Sequence, residues 1–169
     1  MLRKLSAILL IATLGAMALA QNGVQGASGK GAAQDARGRI GEFDFEVVKR
    51  TMGDRTELGG RFVFQTLGVV DGHHVRITIR LHELTGLVTN RDHRTAQIAG
   101  NGVMIIRRGD RSEEIRGSIR ATFADRRSRE HPDAPHDLIS VGFSQGTRGM
   151  FGFEGGVIRG DIRVFWRML

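Results

Sequence analysis

The densest set of side chains able to do chemistry is Asp125, Glu130, His131, Asp133, His136 and Asp137, between two expected strands and stiffened by Pro132 and Pro135. Oxygens from Asp125, Asp133 and Asp137 suit calcium, whereas His131 and His136 with one carboxylate suit zinc or another transition metal. The two histidines lack the i, i+4 spacing of a helical zinc site, and the alternating acids with central glycine of a calcium loop are missing. The competing account is a solvated turn in which Asp125 and Asp137 cap backbone N–H groups and Arg126, Arg127 and Arg129 neutralise them. A divalent cation is thus the one cofactor the residues suggest, and otherwise none is expected.

A second cluster, Asp71-Gly72-His73-His74 with His82 and Glu83, could hold a metal or supply a general base, but Asp-Gly is the preferred dipeptide of a tight hairpin. His93, among Arg91, Asp92 and Arg94, reads as another solvated turn. Ser140 and Ser144 sit in no G-x-S-x-G elbow, so a serine nucleophile finds no support. Gly146-Thr147-Arg148-Gly149 and Gly152 to Gly156 read as hairpin turns, since no helix follows to cradle a phosphate. Glu42, Asp44 and Glu46, or Glu154 and Asp161, are carboxylates without a fixed separation, and glycosidase chemistry needs one. No catalytic residue is expected.

Arginine makes the better case for binding. Arg76, Arg80, Arg116, Arg120, Arg159 and Arg163 fall on the polar period of their strands and could align into a basic face for sulfate, phosphate or uronate groups. The alternative is a mixed surface in which acids interleave with them. Nucleic acid would want stacking aromatics on that face, and only Phe165 stands on a polar period, so there is no specific nucleic-acid signature.

The elements that must carry these residues are strands. Phe43, Phe45 and Val47, then Phe62 and Phe64, then Val75, Ile77, Ile79 and Leu81 alternate with polar residues, as do Leu84 to Asn90, Ala96 to Ile106, Ile115 to Phe123 and Leu138 to Ser144. Gly100 and Gly102 read as bulge or kink positions. In the last strand Gly156, Ile158, Gly160, Ile162, Val164 and Trp166 share one face, and Arg159, Asp161, Arg163, Phe165 and Arg167 the other. Turn dipeptides at Gly53-Asp54, Gly59-Gly60, Asp71-Gly72, Asn101-Gly102, Gly109-Asp110 and Gly155-Gly156 punctuate the chain. The expectation is an all-β, mostly antiparallel fold of about eight or nine strands, either a β-sandwich or a small closed β-barrel. An outer-membrane barrel is disfavoured, because the periods opposite the apolar stripes carry arginine and no Tyr exists to form a girdle.

Composition bounds the rest. The 169 residues carry 25 Lys plus Arg against 18 Asp plus Glu, a formal charge of +7, with 24 Gly and no Cys. Disulfides, Cys-ligated zinc, iron–sulfur clusters and thiol nucleophiles are excluded. Arg3 and Lys4, the apolar run Leu5 to Met17 and Ala18-Leu19-Ala20 form an export leader over residues 1–20, shorter than the roughly 20 apolar residues of a spanning helix. The mature chain then starts at Gln21 and contains no transmembrane segment. Residues 21–38, rich in Gly, Ala, Ser and Gln, read as a flexible leader, and 39–169 as a single β domain.

The order of Phe43-x-Phe45, Gly60-x-Phe62, Val75-x-Ile77-x-Ile79 with Leu84 and Leu87, Ala96-x-Ile98-x-Gly100-x-Gly102, the acidic turn from Asp125 to Asp137 with Leu138-Ile139-Ser140-Val141, and Gly156-x-Ile158-x-Gly160-x-Ile162-x-Val164 resembles secreted bacterial β domains of unknown function, the post-COAP domains. The resemblance spans roughly Phe43 to Phe165. It departs from the pattern at Arg126-Arg127-Ser128-Arg129, where Gly and Pro are usual, and at Phe165, where a polar residue is usual. It implies a β fold and export to the periplasm or outside the cell, and no activity. The sequence therefore reads as an exported, basic, non-catalytic structural or interaction module. The alternatives are an Arg-lined binder of anionic polysaccharide or another polyanion, and a small metal-dependent protein or hydrolase built on Asp125 to Asp137.

Overall fold

Alternation of apolar and polar residues sends one set of side chains to each face of a strand, and a sheet so patterned buries its apolar face by curling on itself. The computed structural model, which describes residues 22–70, 72–127 and 136–169, shows that outcome. Eight antiparallel strands run β1 (Gly23–Asp35), β2 (Ile40–Met52), β3 (Arg55–Val70), β4 (His73–Asn90), β5 (Thr95–Arg108), β6 (Arg111–Ala124), β7 (Leu138–Gln145) and β8 (Arg148–Met168). Each pairs with the next, and β8 pairs back with β1, so the sheet is a closed up-and-down barrel. Of the two architectures left open by the sequence, it is the barrel.

The interior is filled. Phe45 on β2 stacks on Phe123 of β6 across the barrel, ring centroids 3.8 Å apart, and Phe64 meets Phe153 at 4.9 Å. Ile79, Ile119, Ile139 and Ile162 complete this core, each fully buried. Burying one such side chain stabilises the fold by about 1.5–3 kcal/mol. Mid-strand outward positions carry Lys30, Asp44, Arg80, Arg116 and Arg163, the reverse of a lipid-facing barrel with a wet lumen. Among the described residues no helix is long and apolar enough to cross a membrane.

Three expectations need correcting. The segment 21–38 is not a flexible leader over most of its length: Gly23–Asp35 is β1, the strand that closes the barrel between β2 and β8. Its small residues are what its neighbours require. A Cβ on Gly29 would stand 2.8 Å from the Phe45 ring, and one on Gly31 would stand 2.0 Å from the Arg159 carbonyl oxygen. The strand takes its burial from rings supplied by other strands, so its own composition hides it.

Second, the expected turns at Gly59-Gly60, Asn101-Gly102 and Gly152 to Gly156 lie inside β3, β5 and β8. At Gly102 a Cβ would approach the Arg80 carbonyl oxygen to 2.1 Å, so this glycine serves close strand contact. Gly100 and Gly102 do face the irregular stretch of β4, which shifts register between Leu81 and Glu83 and again between Leu84 and Gly86.

Third, β8 shifts register against β1 between Ala32 and Ala33, whose partners are Arg159 and Val157. The extra residue inverts the phase, so Val157 is buried and Ile158 points to solvent. The single face expected for Gly156 through Trp166 is thereby split in two.

Candidate polyanion-binding face

The acidic turn between β6 and β7 had the strongest claim to chemistry. β7 has 8 residues and β8 has 21, and the first residue of β7, Leu138, pairs with Gly156. Beyond Gly156 β8 has no β7 partner, and polar groups of the connection from β6 fill the gap. The Val157 N–H donates to the Asp137 carbonyl at 2.8 Å, the Ile162 N–H to Asp137 Oδ2 at 3.1 Å, and the Val164 N–H to Asp125 Oδ2 at 3.2 Å. Asp137 Oδ1 accepts the N–H groups of Arg126 and Arg127 at 2.8 and 2.9 Å. Asp125 Oδ2 also accepts from the Arg94 guanidinium at 2.7 Å, while the Asp125 N–H donates to the Arg94 carbonyl.

Both carboxylates are buried, 4% and 2% exposed. Burial holds the Asp125 carboxyl above its ordinary pKa, outweighing the Val164 N–H and Arg94, and the neighbouring Asp137 pushes in the same direction. These two acids are structural acceptors at the seam where the strand ladder gives out. His136 is exposed, its Nδ1 2.6 Å from the Arg127 guanidinium. His131 and Asp133 lie outside the described residues, as does Asp71. Among the described residues no three His, Asp or Glu side chains converge as ligands.

The second cluster does not assemble either. His73 and His74 open β4 at the opposite end of the barrel from Asp125, and His82 and Glu83 lie farther along the same strand. Eight residues of strand separate His74 from His82, roughly 26 Å, too far for one ion or one proton relay. Glu83 accepts instead from Asn101 Nδ2 at 3.1 Å, and Asn90 Oδ1 accepts the His93 N–H in the β4–β5 turn. Ser140 stands in register with Thr122 and Glu154, and Ser144 with Ser118 and Gly149, so neither has a histidine beside it. Of the carboxylates considered for glycoside chemistry, Asp44 binds Lys30 and Arg61, and Asp161 binds Arg163.

The six arginines divide into two groups. Arg159 pairs with Glu42 at 3.6 Å and Arg163 with Asp161 at 2.9 Å, on the mixed outer surface of β8, β1 and β2. The other four gather on the outer face of β4, β5 and β6. Arg80 and Arg116 flank Val103 in one row, Arg76 stands directly opposite Arg107, and Arg120 lies one strand over from Ala99. Rows two strands apart are about 10 Å apart, and Arg76 to Arg80 is about 13 Å, a two-dimensional grid of guanidinium groups. Val103 points outward yet is only 2% exposed, as expected if the stems of Arg80 and Arg116 lie over it.

Among the described residues none of Arg76, Arg80, Arg107, Arg116 and Arg120 has an ion-pair partner. Two carboxylates interrupt the rows between them, Glu114 beside Ile105 and Glu83 in register with Asn101 and bonded to it, and the outward positions of β3 alongside (Val63, Gln65, Leu67) bring no other. Like charges left facing one another weaken a sheet. Phe165, the aromatic considered for stacking, lies on β8 away from this face, with Arg167 5.8 Å over its ring. Arg107 escaped the sequence reading. The clue was its place on the outward period of β5, two residues past Ile105, disguised because Val103 and Ile105 make that period look apolar.

Fold and surface together define a class: a filled, closed antiparallel barrel whose charge is segregated, mixed over β8–β1–β2 and basic over β4–β6. Compared with family models, with curated proteins and with solved structures, the chain matches none.

Proposed function

We propose that this protein is an exported, non-catalytic interaction module that holds an anionic polysaccharide against the outer face of β4–β6, in the bacterial periplasm or at the cell surface. The observation that carries this reading is the set of five arginines without ion-pair partners among the described residues, interrupted by two carboxylates, Glu83 and Glu114. Guanidinium forks match sulfate and carboxylate bidentately, and a bound polyanion would relieve the repulsion between Arg76 and Arg107. The absence of Phe or Trp from the outward positions of these strands favours a saccharide backbone over stacked bases. The leader-like residues 1–20 and the resemblance to secreted post-COAP domains support export.

The test is retention on immobilised heparin and alginate across a salt gradient. Wild type elutes at substantial salt, because displacing counterions makes polyanion binding salt-steep. Replacing Arg76, Arg80 and Arg116 together by Ser moves elution to low salt, while replacing Arg159 and Arg163 leaves it in place. Elution of wild type at trivial salt, or equal losses from both sets, overturns the reading.

A further inference from the structure

Beside the basic face lies a groove of about 600 Å³ on the outside of β6, β7 and β8. Two rows of outward positions form its floor: Arg120, Gly142 and Gly152 in register, then Thr122, Ser140 and Glu154. One wall is the β1–β2 turn. Asp35 pins that turn by accepting the N–H groups of Arg37 and Arg39 at 2.9 and 2.8 Å and Arg39 Nε at 2.7 Å. Arg39 reaches over to the Gly152 carbonyl at 3.3 Å and sits 5.9 Å from the centroid of the Phe153 ring. Arg37 on this wall and Arg120 on the other side have no ion-pair partner among the described residues.

The floor glycines have no structural reason to be glycine. A Cβ on Gly152 would meet nothing within 4 Å, and one on Gly142 would meet only the Arg120 carbonyl oxygen at 3.8 Å, an ordinary contact. Neither has a positive φ. Elsewhere the barrel holds both kinds: a Cβ on Gly117 would come within 2.2 Å of the Ser144 carbonyl oxygen, whereas Gly59 and Gly149 are as open as Gly152 but have no second open glycine in register beside them. Glycine without such a demand weakens a strand and marks a place where another molecule approaches the backbone closely. Two of them side by side make a flat bed with hydroxyls and a carboxylate along one edge and arginines at both sides.

We infer that this groove is a subsite for an acidic sugar: a pyranose ring lies on Gly142 and Gly152, its hydroxyls hydrogen-bond Thr122, Ser140 and Glu154, and its carboxylate is taken by Arg120 or Arg37. The inference rests on the proposed polyanion binding and narrows it to uronate-containing chains, since Arg120 belongs to both surfaces and joins the groove to the grid beyond. Neutral sugars leave the two arginines unused, and sulfate or phosphate polymers without a flat ring leave the bed unused.

The test fills the bed. Gly152→Val and Gly142→Thr are measured by calorimetric titration with short oligogalacturonates, with neutral glucan oligomers as control, and by thermal unfolding. Wild type binds the oligogalacturonate and not the glucan. The filled variants bind at least about tenfold more weakly while unfolding at the same or higher temperature, so that the loss is not misfolding. Filled variants that bind like wild type, or wild type that binds glucan equally well, overturn the subsite. Retention of those variants on heparin that still depends on Arg76, Arg80 and Arg116 leaves the basic face standing. Loss of heparin retention in wild type with oligogalacturonate binding intact removes the basic face and keeps the groove.

Discussion

Replacing Asp137 with Ala tests whether a carboxylate stands in for the missing part of β7. The substitution leaves the Ile162 N–H, on a fully buried residue, without its acceptor, which costs about 1–3 kcal/mol. The N–H groups of Arg126 and Arg127 lose Asp137 Oδ1 where water can reach, at about 0.5–1.5 kcal/mol each. The expected loss is therefore about 2–6 kcal/mol, a large share of the roughly 5–15 kcal/mol available to a domain. Urea unfolding with an unchanged slope reads the total, and amide hydrogen exchange locates it: exchange accelerates at Ile162 and Val164 before it does in β2 or β3. Asp161→Ala, removing an exposed carboxylate on the same strand whose one ion pair among the described residues is with Arg163, shifts stability by less than about 0.5 kcal/mol. A loss below about 1 kcal/mol at Asp137, or an Ile162 amide that exchanges as in wild type, refutes the seam argument.

Further outcomes follow from the same geometry. Since burial raises the Asp125 pKa, the folded state holds that proton more tightly than the unfolded chain, and its stabilising contribution is lost as pH rises through the folded value. Urea midpoints of wild type should therefore fall relative to Asp125→Asn across the window just above the ordinary carboxylate range, and a flat difference counts against it. Adding calcium or zinc after chelation leaves the unfolding midpoint unchanged, because N–H donors already occupy both Asp137 oxygens, whereas a cation at about a hundred times its dissociation constant would add roughly 2.7 kcal/mol. Gly102→Ala loses more than about 2 kcal/mol by forcing β4 and β5 apart, while Gly152→Ala gains about 0.5 kcal/mol; paired thermal melts decide, and equal effects would sink the distinction. Thr89→Val removes the acceptor of Trp166 Nε1, 2.8 Å away, and its contact with Gln25, so the fluorescence of the single tryptophan shifts red.

The fold was legible wherever a strand carries its own apolar period. Phe43 to Val47, Phe62 and Phe64, and Val75 to Leu81 point inward as their alternation requires, and Gly53 and Gly109 make the turns with φ of 59° and 55°. It was illegible where burial is contributed by a neighbour. β1 has nothing larger than Val24 among its apolar residues; Ala27 and Ala33 are its part of the core, and inside the barrel the Phe45 ring lies over Gly29. The bulge in β8 was hidden because Val157 and Ile158 are both aliphatic, so a phase inversion between them leaves the pattern unchanged. Glycine is equally mute, since Gly102 and Gly152 differ only in what stands across from them.

The same limit shaped the reading of charge. Six arginines on outward periods looked equivalent, yet closure of the barrel placed Glu42, Asp44 and Asp161 beside Arg159, Lys30, Arg61 and Arg163, on β8, β1, β2 and β3. Arg76, Arg80, Arg116 and Arg120 were left on the far side with Arg107, with Glu83 and Glu114 the carboxylates within their rows. Acids pair directly with Arg159, Arg163 and Arg61, whereas among the described residues Glu83 and Glu114 on the far side form no ion pair with the arginines around them. Register therefore turns a modest net charge into a face on which five guanidinium groups lie without ion-pair partners among the described residues, and the proposed polyanion binding rests on that face.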